Sequence, residues 1–289
     1  MRVLVTGANG QVGSEVIAEI ERRNASLTKG RPIDVLAAGH DALDVAKRDE
    51  VMGALYAFSP DLVIHLAAFT GVDRCEQERD LAFAVNALGT RNVVDAARRC
   101  GARVAYVSTD YVFDGELDRP YDEWDVTRPI SVYGASKLAG EDELDSDDLV
   151  VRTSWIVGRI GSNFVKTVVA MSREERPLRF VDDQRGCPTI ASDLAPMLLT
   201  LALEGWRGCV HVTNQGPTTW FEFAREIVGL AGGDPDSVRA ISSAELDPPR
   251  AAQRPKNSVL DNAVLRLSGI DLLPEWREST AKLVADLGA

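Results

Sequence analysis

The chain has 289 residues, 45% hydrophobic and 26% charged, which is enough to bury a sizeable core in an ordinary globular protein. Its formal net charge of -12 argues against nucleic acid or an anionic membrane as the main partner. Any phosphate site must then be local, built from backbone amides or a few arginines.

The longest apolar runs, such as "PMLLTLAL" at 196–203, fall far short of a bilayer span, and "MRVLVTGANG" has no signal-peptide layout. Cys75, Cys100, Cys187 and Cys209 form no Cys-x-x-Cys pair and read as reduced thiols of a cytoplasmic protein. His40, His65 and His211 are isolated from one another, so no metal site is expected.

In chain order, "RVLVTG" (2–7) predicts a strand, after which Val12, Val16, Ile17 and Ile20 keep one helical face apolar. "IDVLAAG" (33–39) predicts a second strand before a helix near 47–58. "DLVIHLAA" (61–68) predicts a third, before a helix over about 78–99. "RVAYVSTDYVF" (103–113) is a fourth strand with its exit, followed by an Asp- and Pro-rich loop and a helix carrying Tyr133. "LVVRTSWIV" (149–157) is a fifth.

These strands are continuous apolar runs, as in a parallel sheet covered on both faces by helices. Beyond about 160 the stretches "SNFVKTVVAMSRE", "PLRFVDDQRGCPT", "SDLAPMLLTLALE", "CVHVTN" and "TWFEFAREIVGLAG" read as helix, strand, helix, strand, helix. A Pro-rich segment at 241–258 and a last helix with Trp276 and Leu283 follow. The expected fold is α/β: a doubly wound (Rossmann) domain over 1–158, and a smaller C-terminal lobe over 159–289 partly interleaved with it.

"TGANGQVG" places Gly7, Gly10 and Gly13 at G-x-x-G-x-x-G spacing between the first strand and the first helix. That pattern suits dinucleotide binding: a tight turn at Gly7, close backbone approach to a pyrophosphate at Gly10, and helix–strand packing at Gly13. After the second strand no lysine or arginine occurs between 37 and 46, while Asp41 and Asp44 follow, so NADH and NADPH both stay open. Ala67 and Ala68 end the third strand where a cofactor would lie, and serve equally well as packing alanines. Ser108 and Thr109 put hydroxyls at the same sheet edge, where either would satisfy local backbone or bond a substrate carbonyl oxygen.

In "PISVYGASKLAGE", Tyr133 and Lys137 stand four apart and share a helix face. A lysine ammonium beside a phenol is expected to lower the phenol pKa and fit it for proton transfer at a carbonyl or alcohol oxygen.

"TGANGQVG", "STDYVFDG", "YGASKLAGE", "RTSWIVG", "NFVKT", "DDQRGCPT" and "RPKNSVLD" together make the chain resemble, over about 1–280, the dTDP-4-dehydrorhamnose reductases. These are a family of the extended short-chain dehydrogenase/reductase superfamily. The resemblance implies NADPH or NADH as cofactor and reduction of the C4 keto group of dTDP-4-dehydro-β-L-rhamnose. It implies Thr109, Tyr133 and Lys137 as the catalytic set. It also implies Gly10, Gln11 and Val12 at the pyrophosphate, and Ala67, Ala68 and Thr70 as cofactor wall, with Phe69 where Tyr or His is usual.

Asn86 is implied near the active site, Tyr111 and Trp155 in the sugar pocket, and Arg254 at the nucleotide; Trp155 reads equally as a core tryptophan. Some family members use Mg²⁺ at a subunit contact, and Glu15 lies where such a ligand would come from, though as a helix-surface glutamate it needs no metal. A homodimer is compatible with the resemblance. The same frame serves nucleotide-sugar epimerases and dehydratases, the latter using an acid beside the threonine, as Asp110 stands here. It also serves the non-catalytic regulatory subunit of methionine adenosyltransferase.

Overall fold

The computed structural model describes residues 1–173 and 177–288; Glu174, the end of the expected helix "SNFVKTVVAMSRE", lies outside them. The chain opens with β1 (Arg2–Thr6), α1 (Gln11–Ser26), β2 (Asp34–Ala38), α2 (Arg48–Phe58) and β3 (Leu62–His65). Two short helices, α3 (Val72–Gln77) and α4 (Arg79–Phe83), lead through a π-helical turn at Ala84–Leu88 into α5 (Gly89–Cys100). Then come β4 (Arg103–Thr109), α6 (Val132–Glu141) and β5 (Leu149–Thr153).

Next follow β6 (Ile156–Val157), α7 (Phe164–Met171), β7 (Leu178–Val181), β8 (Arg185–Gly186) and β9 (Thr189–Ile190). The chain closes with α8 (Ala191–Glu204), β10 (Gly208–His211), β11 (Thr218–Thr219), α9 (Trp220–Leu230), β12 (Val238–Ile241), α10 (Ala263–Leu267) and α11 (Trp276–Asp286).

Six strands form one parallel sheet in the order β2-β1-β3-β4-β5-β10. β3 and β5 are buried at every residue, because helices cover both faces; β2, at the edge, is not. α1 and α8 pack together on one face, where Val16, Ile20, Leu194 and Leu198 are fully buried. α2 and α5 cover the other with Val51, Leu55, Val93 and Ala97. A second core gathers Val165, Phe223, Ile227, Trp276 and Leu283 around the β7–β12 pair.

The C-terminal half is therefore woven through the first: β10 completes the sheet and α8 completes its helical layer, while α7, α9 and α11 build the outer lobe. The chain reverses between β1 and β3, and the crevice beyond their carboxyl ends is where open α/β sheets take ligands.

Several expected elements change shape. The helix expected over about 78–99 is α4, a π turn and α5, with Asn86 in the π turn. The expected strand 149–157 breaks after Thr153, because Trp155 takes a left-handed φ of 47° that no strand accommodates. The expected strand in "PLRFVDDQRGCPT" is three short ones, each with a different partner.

Candidate active site

A cavity of about 810 Å³ runs along the carboxyl edge of the sheet and holds nearly every residue that the sequence singled out. Gly7, Gly10, Gln11, Val12 and Gly13 line it, together with Asp44, Ala67, Ala68 and Thr70. Thr109, Tyr111, Tyr133, Lys137 and Trp155 line it as well.

The glycine turn is packed so closely against its own backbone that side chains do not fit at Gly7 or Gly13. Gly7 has a φ of 62°, and a Cβ there would come within 2.8 Å of the Ala67 amide nitrogen. A Cβ on Gly13 would overlap the Gly7 carbonyl oxygen. Thr6 fixes the approach, its Oγ1 accepting the Leu66 and Ala67 amides at 3.1 Å each and lying 2.7 Å from His65 Nδ1. The 16-residue helix α1 starts from this turn with no acidic residue in its first turn, so its free amides and dipole face the cavity. These features fit a dinucleotide pyrophosphate. Asp44 Oδ1 accepts the Ala46 amide at 3.1 Å, and Lys137 is the one lysine or arginine among the described lining residues.

Ser131 caps α6, its Oγ accepting the Gly134 amide at 3.2 Å. Gly134 lets the helix approach closely, since a Cβ there would overlap the Tyr111 carbonyl oxygen. That contact seats Tyr133 against Tyr111, ring centroids 5.9 Å apart and edge to face. One turn on, Lys137 is 2% exposed; its Nζ donates to the Val107 carbonyl at 2.8 Å and lies 3.9 Å above the Tyr106 ring. Burial pulls the Lys137 pKa down to about 7, with the Glu141 carboxylate opposing.

The expected lowering of the Tyr133 pKa does not appear. Burial raises it, and the Thr109 hydroxyl opposes that only in part. The ammonium is taken up by Val107 and Tyr106, so desolvation governs the phenol and holds its proton on. A phenol kept neutral is a proton donor.

Thr109 and Ser108, alike in sequence, separate in space. The Ser108 hydroxyl donates to Glu141, whose carboxylate pairs with Arg152 at 2.7 Å, both side chains 8% exposed. Both residues line the cavity, but the Ser108 hydroxyl is committed to that buried network, whereas Thr109 donates to Asp110 Oδ1 at 2.9 Å and accepts the Tyr111 amide at 3.2 Å.

Trp155 is not a plain core residue. It stacks on Trp220 with centroids 3.6 Å apart and planes 9° from parallel, and both rings line the cavity. Arg254 does not line the cavity. Its guanidinium grips Asp73 through two contacts of 2.7 Å and also donates to the Ala252 carbonyl. Asn86 is a brace rather than a wall: Oδ1 accepts the Phe69 amide at 2.7 Å, and Nδ2 donates to Ser136 at 2.9 Å.

Glu15, expected on the surface, is buried and paired with Arg159 at 3.1 Å. Among the described residues no cluster of three or more His, Cys, Asp or Glu is placed to hold a metal. Nor is any helix among them long and apolar enough to cross a membrane. Trp220 and Glu141 were not singled out by sequence reasoning: Trp220 is distant along the chain, and only the "YGASKLAGE" spacing, placing Glu141 one turn past Lys137, marks that carboxylate.

A glycine turn at the switch point of a parallel sheet, with a Tyr-x-x-x-Lys helix across the crevice, defines an extended short-chain dehydrogenase/reductase. The chain belongs to the family described as RmlD substrate binding domain, whose model matches residues 1–289. It is 41% identical to a dTDP-4-dehydrorhamnose reductase of Streptomyces griseus, over 96% of this chain and 90% of that one. It is 39% identical to a dTDP-4-dehydrorhamnose reductase of Sinorhizobium fredii, over 98% and 97% of the two chains. The crystal structure of the Bacillus anthracis dTDP-4-dehydrorhamnose reductase in complex with NADP superposes with a TM-score of 0.91 at 38% identity, covering 99% of each chain.

Proposed function

We propose that the protein reduces the C4 keto group of dTDP-4-dehydro-β-L-rhamnose to give dTDP-β-L-rhamnose, using NADPH or NADH. The observation that carries this reading is that Thr109, Tyr133 and Lys137 line the same cavity as the glycine turn. Full-length identity near 40% to reductases of that name supports the substrate.

A nicotinamide dinucleotide, when bound, supplies the hydride. Gly7, Gly10, Gln11, Val12 and Gly13 hold its pyrophosphate, with Asp44 at the adenosine end and Ala67, Ala68 and Thr70 along its wall. Tyr111 and Trp155 line the sugar pocket. Thr109 and Tyr133 direct hydroxyls at the keto oxygen and stabilise negative charge as it grows there. Tyr133, held neutral by burial, then gives its proton to that oxygen. Lys137 places its amine in the lining of the same cavity, and a proton from solvent restores the phenol after turnover. Arg254 grips Asp73 of α3 and stands beside Tyr111, holding the segment next to the sugar pocket.

The test is oxidation of NADPH and NADH by the purified protein with dTDP-4-dehydrorhamnose. Turnover with exchangeable cofactor is expected. A tightly held NAD⁺ with no net oxidation would instead indicate an epimerase or dehydratase, and a stoichiometric methionine adenosyltransferase partner would indicate a regulatory subunit.

A further inference from the structure

Thr109 carries a single proton, and the reductase reading requires it at the substrate oxygen. In the structure the hydroxyl already accepts the Tyr111 amide at 3.2 Å and lies 2.9 Å from Asp110 Oδ1. An ionised Asp110 has no proton to give, so Thr109 must then donate to it and has none left for a substrate. A neutral Asp110 reverses the bond: the carboxyl donates to Thr109 Oγ1, and the Thr109 proton is free to point into the cavity. The separation of the two oxygens is compatible with either direction.

The surroundings of Asp110 favour the neutral form. The residue is 2% exposed, yet it lines the cavity, and its Oδ2 has no hydrogen-bond partner. The Ser258 hydroxyl is close by but donates to the Arg185 carbonyl at 3.3 Å, so Thr109 is the one hydroxyl bonded to the carboxyl, and a buried carboxylate so served is poorly compensated. The groups facing it come from every neighbouring element: Tyr111 on its own turn, Tyr133 on α6, Cys187 between β8 and β9, and the Ser258 hydroxyl on the C-terminal segment. None is a cation, and no described lysine or arginine pairs with Asp110. Burial accordingly raises its pKa to about 7, with Ser258 and Thr109 opposing.

We propose that Asp110 is a positioning residue that sets the direction of the Thr109 hydrogen bond: as a neutral acid it frees the Thr109 proton for the substrate oxygen, and as a carboxylate it claims that proton. This proposal rests on the reductase reading. Reduction then slows as Asp110 ionises, although Asp110 exchanges no atom with the substrate.

Lys137 also titrates near neutrality, so the two groups must be separated. In single-turnover reduction, where chemistry is rate-limiting, the wild type should lose up to about a hundredfold per pH unit above neutrality, since two ionisations act together. Asp110→Asn keeps a donor toward Thr109 at every pH, and its limb should relax to about tenfold per unit, the share of Lys137. Identical limbs in the two proteins would overturn the proposal.

Infrared difference spectra of wild-type protein labelled with ¹³C-aspartate supply an independent reading, needed if Asp110→Asn does not fold. A protonated carboxyl band that vanishes through neutral pH is expected; its absence in mildly acidic solution would overturn the proposal. A wild type that reduces no 4-keto sugar at any pH refutes the reductase reading instead, and the infrared band then decides the state of Asp110 by itself.

Discussion

Replacing Lys137 by Met should stabilise the protein while abolishing its activity. The ammonium is 2% exposed, and its pKa falls from the ordinary 10.5 to about 7. A displacement of that size corresponds to about 5 kcal/mol of penalty on the charged form. Methionine has similar length and removes the penalty, but it also removes the bond to the Val107 carbonyl and the contact with the Tyr106 ring. Those losses together offset about 2–3 kcal/mol, leaving a net gain of about 2 kcal/mol near pH 7.

The pH dependence identifies the cause. The folded-state pKa lies below the unfolded one, so the unfolded chain binds the proton more tightly. The penalty is full below about 7 and fades as pH rises toward 10.5. Wild-type stability should therefore climb through that window relative to Lys137→Met, and the two curves should cross before its upper end. Urea unfolding of both proteins at a series of pH values measures this directly. A variant less stable than wild type at pH 7, or a difference independent of pH, would refute the reasoning.

Three further substitutions test the site. Tyr133→Phe should lower turnover by about 10²–10⁴-fold while leaving dinucleotide affinity intact by fluorescence titration, because only the donated proton is lost; near-normal turnover would remove Tyr133 from the mechanism. Gly134→Ala should destabilise by about 1–3 kcal/mol and reduce turnover, since its Cβ forces α6 away from the Tyr111 carbonyl; thermal denaturation and steady-state rates check both. Trp220→Ala should raise KM for the sugar nucleotide without changing dinucleotide affinity, because it removes the face on which Trp155 stacks; equal effects on both ligands would place the tryptophan pair elsewhere in function.

The parts of this molecule that were legible in the sequence are those governed by local pattern. The glycine spacing after β1 and the four-residue interval between Tyr133 and Lys137 require only a strand–turn–helix and a helix face, and both are present. Continuous apolar strands announced a parallel sheet, and six parallel strands exist.

What escaped depends on contacts across long sequence separations. Ser108 and Thr109 are neighbours with the same functional group, and only the fold assigns Ser108 to Glu141 and Arg152. Arg254, implied at the nucleotide by the resemblance, has its guanidinium held by Asp73 of α3, 181 positions away. The lowered phenol pKa expected from a nearby lysine fails because it counts charge and not desolvation, which burial in the closed cleft makes dominant. Trp155 adopts its left-handed backbone where its ring meets Trp220, a partner 65 positions away that no local rule indicates.

The central claim is that hydride reaches C4 of the sugar while Tyr133 and Thr109 hold the keto oxygen. The most direct measurement is reduction of dTDP-4-dehydrorhamnose with NADPH carrying deuterium at the transferable position, followed by proton NMR of the product. Deuterium at C4 alone, in dTDP-rhamnose, with the signal lost in Tyr133→Phe, is the predicted result. Deuterium at another carbon, or an unlabelled product formed without net cofactor oxidation, would contradict it.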